Sequence, residues 1–189
     1  MIALCFLLAF FAGPFWETAP PEQWSDQEIY TLLHHSPWAR QEEGTEIYLA
    51  SALPAREAER ELRRRRAPKD PADESPLEDE EYREFMSQYP GEYIVLAVRV
   101  PKPSYLENER DVQAMAKKSV LKAGKKKYRM VGHFPPVPGD PYLRLVFPRV
   151  EVPENHLLVF QLYVPGVPMP FRRLIFDTRQ MIYKGKLEL

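Results

Sequence analysis

Between Val112 and Gly139 the chain carries seven basic residues, Lys117, Lys118, Lys122, Lys125, Lys126, Lys127 and Arg129, and no acid. An ammonium group is a compact charge on a flexible stem, so such a run suits a diffuse anionic surface better than bidentate recognition of one carboxylate. "SVLKAGKKKYRMV" reads as strand, turn, strand with Gly124 in the turn. That hairpin places Lys122, Lys125, Lys126, Lys127 and Arg129 on its exposed side and tip. Two roles compete for them. Lysines on an exposed strand edge guard against edge-to-edge aggregation; they also attract an anionic partner such as phospholipid headgroups, a glycan or an acidic polymer.

A second charged block, "AREAERELRRRR", has high helix propensity behind Pro54, a residue well placed in a first helical turn. Glu59 to Arg63 and Glu61 to Arg65 are i, i+4 pairs in the favourable order. Residues 56–70 hold seven positive and four negative charges, whereas 70–84 hold eight negative and one positive. The expectation is an exposed, self-compensating helix followed by a flexible acidic linker over residues 67–80. No aromatic interleaving accompanies the arginines, which argues against nucleic acid as partner.

Other chemistry is sparse. His34 and His35 are adjacent, about 100° apart on a helix, and poorly placed to share a metal. His133 and His156 stand alone at strand edges. There is no G-x-S-x-G elbow, no phosphate-binding glycine loop and no H-E-x-x-H. The single cysteine, Cys5, precludes an intramolecular disulfide or thiolate cluster. No catalytic, metal or cofactor residues are therefore nominated, and no cofactor is expected. Acids converging in the fold keep open a hydrolase using paired carboxylates.

The elements that must position these groups are mostly strands. The runs 93–101, 142–150, 156–165, 171–178 and 180–189 are short, aromatic and β-branched, bounded by proline and glycine clusters such as "FPPVPGDP". A further strand is expected over Glu46 to Ser51. With the basic hairpin this makes about eight strands, enough for two sheets. Twenty prolines among 189 residues favour short strands and stiff loops. In "WSDQEIYTLLHHSPW", Ser25 and Glu28 form a capping box and Trp24 and Ile29 a hydrophobic staple, with Pro37 ending the helix near Ser36. The expected fold is mainly β. It is an antiparallel β-sandwich, immunoglobulin-like arrangements included, with short N-terminal helices packed on it. Residues 24–66 form a helix-strand-helix segment on the core, and 81–189 the antiparallel β domain.

"MIALCFLLAFFAG" is an uncharged apolar run shorter than the roughly twenty residues a spanning helix needs. It reads as a signal peptide over residues 1–13, with an uncleaved anchor or a misplaced start codon as alternatives. A periplasmic or secreted protein is the expectation.

"SPWAR" followed by "SALPAREA", then "SVLKAGKKK", "FPR" and "MIYKGKLEL", resembles a set of uncharacterised secreted proteins from soil bacteria of the Acidobacteria kind. The resemblance covers most of the chain from Trp24 onward and implies export without implying an activity. By elimination, the expected function is a non-catalytic β-sandwich with a binding or structural role in the cell envelope, its partner an envelope protein, a glycan or an anionic surface.

Overall fold

A computed structural model describes residues 13–66, 80–101, 108–152, 156–167 and 169–189. The expected signal run, but for Gly13, and the expected linker, but for Glu80, lie outside them. After a single helical turn, α1 (Phe15–Thr18), the capping box forms as its residues require. The Glu28 amide donates to Ser25 Oγ at 3.2 Å, and the Ser25 amide donates to the Glu28 carboxylate at 2.7 Å. It opens α2 (Asp26–His34), whose staple residues Trp24 and Ile29 are both buried. The helix stops at His34, two residues before the expected end.

Next come β1 (Ala39–Glu42) and β2 (Thr45–Leu49). Glu43 and Gly44 join them with φ of 48° and 75°, the positive pair of a type I′ hairpin turn. Only the second of these strands was legible from alternation; β1 is mostly polar. Two helices follow, α3 (Leu53–Arg66) and α4 (Glu80–Gln88), and then β3 (Tyr93–Arg99). A third longer helix, α5 (Glu109–Lys118), is capped by Asn108 and carries Lys117 and Lys118 in its last turn.

The basic hairpin is β4 (Val120–Ala123) and β5 (Lys126–Arg129), turned at Gly124 with φ 58°. The remaining long strands are β7 (Tyr142–Pro148), β8 (Leu157–Tyr163) and β9 (Phe171–Asp177), with the short β6 (Gly132–Phe134) before them. The last expected strand is instead a small hairpin, β10 (Ile182–Tyr183) and β11 (Lys186–Leu187), because Lys184 and Gly185 take φ of 50° and 75°.

Among the described residues every pairing is antiparallel: β1-β2-β3-β7-β6 in one large sheet, β5-β4-β8-β9 in the other, and β10-β11 as a separate two-stranded ladder. The expected antiparallel β core with helices packed on it is present, though helices take nearly as much of the chain as strands. Register fixes the layers. Ile47, Leu49, Ile94, Leu96, Leu145 and Phe147 share the inner face of the five-stranded sheet. They meet the buried Leu121, Leu158, Phe160, Leu174 and Phe176 of the other sheet, with Phe147 and Phe160 in edge contact at 5.3 Å. The opposite face of the five-stranded sheet carries Tyr48, Ala97 and Arg144, and α3 and α4 cover it through Glu59 and Tyr82.

The two sheets meet along both sides. At one side the chain crosses between them: Met130 donates to Ser119 O and Val131 to Val146 O, linking β5 to β6. At the other, side chains close the gap between β1 and β9. Arg40 donates to Ile175 O at 2.8 Å while its guanidinium lies 4.4 Å from the Phe176 ring, and Arg172 donates to Glu42 O at 2.8 Å.

Candidate functional site

The residues nominated from sequence lie on the outer face of the four-stranded sheet. Alternation sends Lys122, Lys127 and Arg129 outward, and Lys122 stands directly opposite Lys127 across the β4–β5 pair. Lys125 shares the turn with Gly124 and Lys126 opens β5 opposite Ala123, and Lys125, Lys126, Lys127 and Arg129 are all exposed. The next strands extend the same face with Gln161 and Val159 on β8 and Arg173 and Ile175 on β9. At its end Tyr163 pairs with Phe171, and Lys118 sits 4.2 Å above the Tyr163 ring.

This face is therefore basic along β5 and at Lys122 and Arg173, with apolar side chains interspersed along β8 and β9. Phe171 is 64% exposed, Leu157 50% and Ile175 39%. Asp177 is the one acid among the described outward side chains of these strands, and it is engaged by Arg179.

Sequence reasoning missed a second site, on the helix-covered side of the five-stranded sheet. A cavity of about 310 Å³ lies between α2, α3 and the ends of β2, β3 and β7. Arg144 forms its floor, almost wholly enclosed. Its Nη1 is 2.7 Å from Asp140 Oδ2 and its Nη2 3.5 Å from Glu59 Oε1, and the Tyr82 ring stacks 4.2 Å from its Cζ. The Tyr48 hydroxyl donates to Glu59 Oε1 at 2.6 Å. Burial works against the Arg144 charge, but Glu59, Tyr48 and Asp140 outweigh it and raise the pKa, so the guanidinium stays ionised.

Glu46, on β2, forms a second knot at the mouth. Arg99 lies 3.0 Å from its Oε2, the Tyr142 hydroxyl donates to it at 3.1 Å, and His34 Nε2 is 3.4 Å away. Burial pushes the Glu46 carboxyl up, yet the Arg99 hydrogen bond and the electrostatic effect of the neighbouring His34 and Arg99 hold it below the usual range. The Tyr142 phenol is pushed up by burial and then by Glu46. His34 is fixed from its other side, where Nδ1 meets Tyr30 O at 2.8 Å and the two rings stack at 4.1 Å.

The arginine block has a use as well as a balance. Its helix is not an exposed one: Ala55, Ala58, Glu59 and Glu61 are buried. Arg64 pairs with Glu61 at 2.8 Å, Arg65 with Asp26 at 2.7 Å, and the expected i, i+4 pairs Glu59–Arg63 and Glu61–Arg65 form at 3.9 and 3.6 Å. Three carboxylates and a histidine thus converge where alternation and charge counting gave no sign of them. Each carboxylate, however, already holds a guanidinium of the same pocket. That arrangement stabilises the ionised form and suits neither a general acid nor a strong base.

Among the described residues, no three His, Cys, Asp or Glu side chains are grouped to hold a metal ion, and no helix is long and apolar enough to cross a membrane. Comparison with family models, curated proteins and solved structures finds no match, which leaves the chemistry of these two surfaces as the ground for function.

Proposed function

We propose that this is an exported, non-catalytic β protein that docks on an anionic lipid surface of the cell envelope through the outer face of β4, β5, β8 and β9. The placement of Lys122 opposite Lys127 supports this reading most directly. Like charges directly opposite on a sheet are destabilising, so their juxtaposition asks for a countercharge outside the molecule. Edge protection accounts for lysines on β5, which is an edge strand. It does not account for Lys122 on the internal strand β4. Exposed Phe171, Leu157 and Ile175 on the same face add apolar area that would enter the headgroup boundary while the lysine stems reach for phosphate. Each lysine near an anionic leaflet contributes about 1 kcal/mol.

Co-sedimentation with vesicles tests it. The protein should pellet with equal mixtures of phosphatidylglycerol and phosphatidylcholine and stay in solution with phosphatidylcholine alone. Binding should fade with added salt, since exposed charges are screened over about 8 Å at physiological ionic strength. Charge reversal at Lys125, Lys126 and Lys127 should abolish it with little change in Tm, and Phe171→Ser should weaken it. Equal binding to neutral vesicles, or binding to an acidic polysaccharide and to no vesicle, would reject the lipid surface as partner.

Export carries its own test. Phe15 packs edge-on against Trp24 at 5.7 Å and Trp16 against Trp38 at 5.9 Å, so a cut that spares the core must fall before them. Mass spectrometry of periplasmic and cytosolic fractions should find a mature chain starting near Pro14. Intact chain confined to the cytosol would overturn export.

A further inference from the structure

The arginine block and the pocket beside it belong together. Along α3, Glu59, Leu62, Arg63 and Arg66 recur at three, four and seven positions, the spacing of one helix face, and all four line the cavity. Arg64 and Arg65, in contrast, are held by Glu61 and Asp26 away from it. Arg99 reaches the mouth from β3 and Arg144 fills the floor. Four guanidiniums thus meet three carboxylates, Glu46, Glu59 and Asp140. The surplus positive charge rests on Arg66, which is exposed and has no ion pair or hydrogen bond among the described residues. In the floor, Arg144 Nε is enclosed and lacks a hydrogen-bond partner among them.

Across from the arginines stands an apolar wall of Leu33, Pro141 and the outer ring of the Tyr30–His34 stack, with Tyr30 47% exposed. About 310 Å³ is at the small end of ligand pockets, room for one ring and its charged substituent. We propose that this pocket binds a small organic oxyanion, an aromatic or apolar body bearing one phosphate or carboxylate. Arg66 and Arg63 take the anionic end, where planar guanidinium forks match oxyanion geometry. Tyr30 packs on the body. The site is separate from the outer face of β4, β5, β8 and β9 and does not depend on the lipid reading.

Titration calorimetry on the full chain, with phenyl phosphate, inorganic phosphate and benzoate at matched ionic strength, tests the assignment. One phenyl phosphate should bind per chain, more tightly than inorganic phosphate, and its rank against benzoate tells phosphate from carboxylate as the preferred head. Arg63→Gln with Arg66→Gln should weaken binding about tenfold or more. Should the double variant fold poorly, Arg66→Gln alone, at an exposed position, should still weaken it several-fold. Tyr30→Ala should bring phenyl phosphate down to the level of inorganic phosphate. Charge reversal at Lys125, Lys126 and Lys127 should leave all affinities unchanged. The proposal fails if none of the three anions gives saturable heat, if Arg66→Gln binds like the parent, or if the lysine variant abolishes binding and so places the anion on the other face.

Discussion

Arg144 shows how a single residue can decide the character of a site. It lies on the α3-facing side of β7, between Glu59 and Asp140, and is almost wholly enclosed. A buried ion triad is no guarantee of stability, because taking charges out of water costs about as much as their attraction returns. Removing one member is another matter, since Asp140 would then be left enclosed without its cation and Glu59 with only Arg63 at 3.9 Å. Arg144→Met should therefore lower the unfolding free energy by about 3–5 kcal/mol. Adding Glu59→Gln should cost less than the sum of the two single changes, with a coupling of roughly 0.5–3 kcal/mol. Urea denaturation of the four proteins measures both quantities. A loss under about 1 kcal/mol for Arg144→Met would mean the floor is not held by charge. The enclosed triad also means that the carboxylates of the proposed binding pocket are already paired with guanidiniums.

Among the elements, those whose signals are local were legible from sequence. The Ser25–Glu28 capping box, the aromatic and β-branched runs of β7 and β8 and the turn at Gly124 each name their own structure within a few residues, and each forms as read. Elements whose identity depends on distant partners were not. Strand β1, "ARQE", has no apolar alternation, and it exists because β2 offers a ladder and Glu43-Gly44 a turn. Helices α4 and α5 escaped notice among charge counts, although Tyr82 and Met115 anchor them in the core. Position 144 falls inside the expected strand over 142–150, and nothing local says that α3 would lay Glu59 against it. The lysine hairpin was found and the pocket missed for one reason. A run along the chain is visible in a string of letters, whereas Glu46, Glu59 and Asp140 are brought together only by the register of β2, β3 and β7 under a helix.

For the molecule as a whole, the side where β1 faces β9 matters as much as either site. The two strands exchange no ladder, yet neither edge is left bare, because Arg40 occupies Ile175 O and Arg172 occupies Glu42 O. Arg40 keeps its place although burial lowers its pKa against the pull of Glu42 and Asp177. Bare strand edges are templates on which another chain can add a strand. These two arginines thus act as stoppers against polymerisation, and what they protect is the shelf life of the solution more than the fold of one copy. Arg40→Ala combined with Arg172→Ala should leave a protein that folds but gains light scattering on storage and faster amide exchange in β1 and β9. Unchanged scattering and exchange would mean the seam is shut by packing alone. A protein working at a crowded surface, where neighbouring copies are brought edge to edge, has particular need of such stoppers.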